Sequence, residues 1–341
     1  MRIKNAKVYQ ADGTFAETDI VTEGEFIKSD ASADGEIVDA YDLIALPGLV
    51  DIRVRQAADT VYDDAGNYAV DKVARFEAGN GVTSFVGTVE LPAAHAKKVA
   101  KTVVDWNADE ADRHDDCAAV LGLSLERPLG HIEDAKPSPE SWKDLAYDDV
   151  DTFDDLQSVG DGVFKVVDVD ATQEGMHTYV GLVSKKATVG VVDNDATFAQ
   201  TEKAIKAGAT LVSRRWDERI VLDEKKPGMM DAAFKNDQVF VELVAHEDNG
   251  SKEDIVANFA LLQGRTVLVA EDGNLFDAMR RAIEMGVPAN VAIDAATSGP
   301  ARALKMGDKV GSLEDGRYAD IVLVDSSYHI KHVINRGKTI L

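Results

Sequence analysis

Six charged side chains stand at or just beyond the ends of apolar runs. They are Arg53 and Arg55 in Asp51-Ile52-Arg53-Val54-Arg55, Glu126 after Leu123-Ser124-Leu125, Asp193 after Val192, Arg214 after Val212-Ser213, and Glu271 after Val269-Ala270. If those runs are strands of one sheet, three guanidiniums and three carboxylates meet on one face. Three chemistries are open to such a set. Arginine pairs bidentately with carboxylate, so the groups can neutralise one another in a plug. Arg53 or Arg214 can instead clamp the carboxylate or phosphate of a small charged ligand. Alternatively, Glu126 and Asp193, with His246 nearby, can hold a divalent metal that activates water. The arginines oppose this last option, because a guanidinium stays cationic and has no lone pair to donate. Ser213 has no histidine beside it to activate it, which argues against a serine nucleophile.

The elements that must position these groups follow a βα rhythm. Apolar runs at 49–54, 82–87, 118–125, 163–169, 188–192, 209–213, 239–244 and 266–270 alternate with segments of helical character at 70–78, 93–106, 198–207, 252–262 and 275–284. Runs such as Val239-Phe240-Val241-Glu242-Leu243-Val244 are nearly continuous in apolar residues, as a parallel sheet covered on both faces requires. Eight of them in βα order predict an α/β fold, a TIM-like (β/α)8 barrel over 49–303, whose C-terminal strand ends carry the six charges. No Gly-x-Gly-x-x-Gly follows the first run, which disfavours an open dinucleotide-binding sheet. The first 45 residues alternate apolar and polar positions, suggesting short antiparallel strands. The tail returns to strand patterning in Ala319-Asp320-Ile321-Val322-Leu323-Val324. The two ends, 1–48 and 304–341, are therefore expected to pair into a small β-sandwich domain, with Asp320 a turn or fold residue. The acidic stretch 146–155 reads as a solvated loop or helix end.

Sixty-one acidic residues against 37 basic ones give a net charge of -24, which repels nucleic acid and anionic lipid. An anionic ligand therefore needs a local basic pocket. No run reaches the length of a membrane span, and no apolar signal segment is seen, so a cytoplasmic protein is expected. The single cysteine, Cys117, lies in an apolar run and is expected to be a small buried hydrophobe. His95, His114 and His177 lack the spacing of a metal site.

Several segments together resemble the amidohydrolase superfamily, and within it the N-acetylglucosamine-6-phosphate deacetylases. They are Ala45-Leu46-Pro47-Gly48-Leu49-Val50-Asp51, Gly81-Val82-Thr83-Ser84-Phe85, Gly122-Leu123-Ser124-Leu125-Glu126-Arg127-Pro128, Asp195-Ala196-Thr197, Ala207-Gly208-Ala209-Thr210, Gly299-Pro300-Ala301 and Val310-Gly311-Ser312-Leu313 through Ala319-Asp320. The resemblance implies a carbohydrate-metabolism hydrolase in which a divalent metal activates water against the acetamide of a phosphorylated amino sugar. It also implies a homodimer. Glu126 matches the metal ligand after strand 3. The other ligand positions are replaced: the strand 1 His-x-His by Arg53 and Arg55, the strand 5 histidine by Asp193, and the strand 6 histidine by Arg214. Glu271 stands at the catalytic aspartate, with Asp272 the one-residue alternative. Asn249 or His246, Lys225, Trp216, Asp217 and His131 match substrate-binding positions. The expectation is a relative without cofactor and without the family deacetylation, binding a small charged ligand. The alternative is an active amide hydrolase holding zinc, iron or manganese through Glu126 and Asp193.

Overall fold

A computed structural model describes residues 1–30, 35–57, 60–61, 66–90, 93–109, 116–126, 150–192, 196–213, 227–246, 251–270 and 274–341, with the side chains of Gln56, Ala57, Val61, Glu90 and Glu126 outside that description. The chain opens with β1 (Arg2–Tyr9), β2 (Phe15–Glu23), β3 (Phe26–Ile27), β4 (Ile37–Asp39) and β5 (Ile44–Pro47). The barrel follows: β6 (Leu49–Val54), a small hairpin β7 (Gln56–Ala57) and β8 (Thr60–Val61), then β9 (Val82–Glu90), β10 (Ala119–Glu126), β11 (Phe164–Val169), β12 (Thr188–Val192), β13 (Leu211–Ser213), β14 (Phe240–Val244) and β15 (Thr266–Val269). The chain ends in β16 (Ile321–Val324), β17 (Ile330–Asn335) and β18 (Lys338–Thr339).

The ladder from β6 through β9 to β15 is parallel throughout, and β15 returns against β6, so the eight strands form a nearly closed (β/α)8 barrel. Each expected apolar run overlaps one of these strands. The helices α1 (Asn67–Gly79), α2 (Ala93–Ala108), α3 (Val150–Gln157), α4 (Met176–Val183), α5 (Phe198–Ala207), α6 (Met229–Lys235), α7 (Lys252–Leu262), α8 (Leu275–Met285), α9 (Ala289–Ala296) and α10 (Ser298–Ala303) are laid between and after them. None of the described helices is long and apolar enough to cross a membrane. Part of the acidic stretch read as a loop or helix end lies in α3, which buries Phe153 and Leu156. Pro300 sits in the first turn of α10, where its missing N–H costs no helical hydrogen bond.

The two chain ends share one sheet in the order β18-β17-β16-β5-β1-β2-β3, with β4 also on β1. Its apolar cluster includes Ile3, Val8, Ile20, Ile27, Ile321, Leu323 and Ile334. The opening strands are not all antiparallel, as their alternation suggested. β1 runs antiparallel to β2 but parallel to β4 and β5. Alternation reports which face is buried and says nothing of strand direction. β5 aligns antiparallel to β16, Ile321 opposite Pro47, and passes through Gly48 into the barrel. A side chain at Gly48 would collide with Thr83 Oγ1 at 2.1 Å, so the entry to β6 requires glycine. Cys117 is buried as expected, and Asp320, also buried, accepts the Arg336 N–H through Oδ1 at 2.9 Å.

Candidate functional site

The strand that carries Arg53 contains a bulge. From Asp51 to Val54, β6 advances three residues while β9 advances two, from Phe85 to Gly87. The extra residue breaks the in-out alternation. Leu49 and Val54 pack into the cluster under the helical shell, whereas Val50 and Ile52 pack into the barrel interior. Arg53, next to an inward residue, also turns inward, and its own N–H donates to Asp51 Oδ1 at 2.8 Å across the bulge.

Inside the barrel the Arg53 guanidinium is almost fully enclosed, with a side-chain exposure of 2%. Nε donates to Glu242 Oε1 at 2.7 Å, Nη1 to Ser124 Oγ at 2.7 Å, and Nη2 to Asp168 Oδ1 at 2.8 Å and to Ser213 Oγ at 2.6 Å. The Ser213 hydroxyl in turn donates a hydrogen bond to Asp168 Oδ1 at 2.7 Å. One side chain thereby ties β6 to β10, β11, β13 and β14. The intervening strand, β12, supplies Gly190, where a Cβ would lie 2.3 Å from Ser213 Oγ and 2.5 Å from Asp168 Oδ1. Burial works against the guanidinium charge, but the fields of Asp168 and Glu242 and their hydrogen bonds outweigh it and hold Arg53 above its ordinary value. The cation is permanent at any pH the fold survives.

Behind β6 the electrostatics reverse. Burial pushes the Asp51 carboxyl up to about 6, against a smaller opposing pull from the Arg53 N–H and guanidinium. Burial, then the neighbouring Asp51, pushes Glu77 of α1 well above the usual carboxylate range.

The structure places the expected site residues unevenly. Arg53 is in the barrel, Arg55 is half-buried just past β6, and His246 is half-buried just past β14. Glu126 closes β10 in register with Glu90 of β9. Asp193, Arg214, Glu271, Asp272, Lys225, Asn249, Trp216, Asp217 and His131 lie outside the described residues. Of the carboxylates expected to balance the arginines, Asp193, Glu271 and the side chain of Glu126 lie outside the described residues; the described carboxylates bonded to Arg53 are Asp168 and Glu242. Sequence reading missed both, along with Ser124 and Gly190. The available signal was a lone acid inside an apolar strand, Val166-Val167-Asp168-Val169 and Val241-Glu242-Leu243, since a carboxylate is almost never fully buried without a partner.

The described residues do not fit a divalent ion. Among the described residues a fixed cation with no lone pair stands inside the barrel, and the acids beside it, Asp168 and Glu242, are already bonded to it. Among the described residues no group of three or more His, Cys, Asp or Glu could hold a metal. The arrangement supplies a hydrogen-bonded floor of one guanidinium and two carboxylates to the C-terminal mouth of the barrel.

A model of the amidohydrolase family matches residues 187–340. An N-acetylglucosamine-6-phosphate deacetylase of Vibrio furnissii is 24% identical over 99% of this chain and 93% of its own length. An N-acetylgalactosamine-6-phosphate deacetylase of Escherichia coli O157:H7 is 27% identical over 86% of each. Residues 187–340 thus match the amidohydrolase family, and these two relatives, which extend along the rest of the chain, are amino-sugar-phosphate deacetylases. The chain resembles the N-acetylglucosamine-6-phosphate deacetylases along nearly its whole length. The fold agrees: the crystal structure of an N-acetyl-D-glucosamine-6-phosphate deacetylase from Mycobacterium smegmatis superposes with a TM-score of 0.81 at 18% identity, covering 100% of both chains. One from Pasteurella multocida gives 0.80 at 16% identity, covering 99% of this chain and 98% of that one.

Proposed function

We propose that this chain is a divergent relative of the amino-sugar-phosphate deacetylases in which the Arg53 guanidinium is the barrel's central cation. In this reading it has no resident metal and does not release acetate by attack of a metal-bound hydroxide. Its C-terminal mouth binds a small charged ligand. The observation that carries the reading is the fully enclosed Arg53, bonded at once to Asp168, Glu242, Ser124 and Ser213. A dication added beside it meets a fixed like charge in a poorly screened interior, where ligands and counter-charges are already committed. The -24 net charge supports a small molecule as partner and opposes nucleic acid.

The test is an acetate-release assay on N-acetylglucosamine 6-phosphate and N-acetylgalactosamine 6-phosphate with added zinc, iron(II) or manganese, together with a thermal-shift screen of sugar phosphates and dicarboxylates. The reading expects no metal-dependent acetate release and a raised midpoint with at least one charged ligand. A ligand at 100 times its dissociation constant adds about 2.7 kcal/mol. Metal-dependent acetate release would instead support the second reading, a hydrolase using Glu126, Asp193 and His246. That reading has in its favour the placement of Glu126 at the end of β10 and of His246 just past β14.

A further inference from the structure

On the face of the barrel opposite its mouth, the seam with the companion sheet holds a cavity of about 360 Å³, within the roughly 300–1,000 Å³ of small-molecule sites. Tyr9 and Pro47 line it from the sheet, and Asp294 of α9 and Arg302 of α10 from the barrel. The strand starts around it fix its place. Pro47 runs through Gly48 into β6, while Arg302 bonds Gly264 O just ahead of β15 and stacks over Phe240, the first residue of β14. Two charges in this cavity are held in position but not neutralised. Asp294 Oδ1 accepts the Tyr9 hydroxyl at 2.9 Å and the Ser298 hydroxyl at 3.2 Å, whereas Oδ2 accepts no hydrogen bond among the described residues. Arg302 donates from Nε to Ser298 O at 3.2 Å and from Nη2 to Gly264 O at 2.8 Å, both neutral carbonyls. Among the described residues neither side chain makes an ion pair, and no nitrogen of Arg302 comes within 4.0 Å of an oxygen of Asp294. The other opposite charges on the wall satisfy each other: Arg317 Nη2 lies 3.3 Å from Glu314 Oε2, which also accepts the Ser312 hydroxyl at 3.1 Å.

We propose that the seam cavity is a second binding site, for a small zwitterion whose ammonium group bonds Asp294 and whose carboxylate bonds the Arg302 guanidinium. A simple anion meets Asp294, Glu314 and the field of a chain whose net charge is -24, and a simple cation meets Arg302 and Arg317. A zwitterion satisfies both ends and adds no net charge. Asp294 is held by two hydroxyls and Arg302 by two carbonyls, so both ends are in place before the ligand arrives, which lowers the ordering cost of binding. One wall belongs to the sheet and the other to the barrel, so the bound molecule braces the joint between them. Lying at the strand starts, the site shares no residue with the Arg53 network and stands whether or not the mouth binds a metal or a ligand.

Isothermal titration calorimetry of the full chain tests this with the standard α-amino acids and with β-alanine, γ-aminobutyrate and ε-aminocaproate, in which the distance between the two charges grows. At least one of these zwitterions is expected to saturate a single site per chain. Its counterparts carrying the carboxylate alone or the amine alone should bind about tenfold more weakly or worse, the loss of one hydrogen bond between charged groups. Asp294→Asn keeps an oxygen for the Tyr9 and Ser298 hydroxyls, and Arg302→Gln changes an exposed side chain. Each variant should weaken the zwitterion about tenfold or more for the same reason. If a variant does not fold, a crystal of the wild type soaked in the zwitterion decides, with density expected between Asp294 and Arg302. No saturation by any of these molecules, equal binding of a single-charge counterpart, unchanged affinity in either variant, or density elsewhere would overturn the proposal.

Discussion

Removing the Arg53 guanidinium leaves Asp168 and Glu242 as like charges in a cavity with no cation, and the cost is set by their stranded charge more than by the lost bonds. Arg53→Met is expected to destabilise the fold by about 3–5 kcal/mol, the usual effect of breaking a buried pair from one side. In a background carrying D168N and E242Q the same change should cost far less, because nothing charged is stranded. Urea unfolding of the two series gives the coupling. Gly190 belongs to the same argument. Gly190→Ala places a methyl against Ser213 Oγ and Asp168 Oδ1, neither of which can move without giving up a bond to Arg53. A loss of about 1–3 kcal/mol is expected, with partial recovery when S213A is added, since the added volume then has somewhere to go. The importance of Arg53 was legible from its place at the end of an apolar run. Its partners were not, because Asp168 and Glu242 are distant in sequence and meet it only when the barrel closes.

At the scale of elements, legibility followed burial pattern. The barrel strands could be read because a parallel sheet covered on both faces is apolar at nearly every position. Helices such as α1 and α5 show a polar face, whereas α4, Met-His-Thr-Tyr-Val-Gly-Leu-Val, is too short and too evenly apolar for a 3.6-residue period to emerge. The bulge in β6 was invisible, since it exists only as a mismatch of register with β9. Yet that bulge decides whether Arg53 faces the interior or the helices. Helix starts were open to reading, and two are testable. Thr197 caps α5 through a box with Gln200, and Ser251 caps α7 through a box with Asp254. Thr197→Ala and Ser251→Ala should each cost about 1 kcal/mol in thermal or urea unfolding, and their effects should add, because neither touches the Arg53 network.

For the whole molecule, two pH-linked effects act in the same direction. The Asp51 carboxyl sits at about 6 in the fold against 3.8 in an unfolded chain, so the native state binds more protons than the unfolded state between those values. Stability from this group is fully present below 3.8 and is lost as the pH rises through about 6. The -24 net charge adds self-repulsion at neutral and alkaline pH. The thermal midpoint should therefore fall as the pH rises from about 4 to about 7, and 0.5 M salt should recover the part due to surface repulsion while leaving the buried part, since buried groups are screened least. The barrel and its companion sheet keep the architecture of the deacetylases while the interior charge is supplied by the chain itself. The most direct test of that claim is the metal content of the protein, purified after expression with zinc, iron and manganese supplied and measured by plasma mass spectrometry against protein concentration. The account predicts far less than one metal ion per chain and a folding stability unchanged by chelation. One tightly held ion per chain, lost on chelation together with stability, would contradict it.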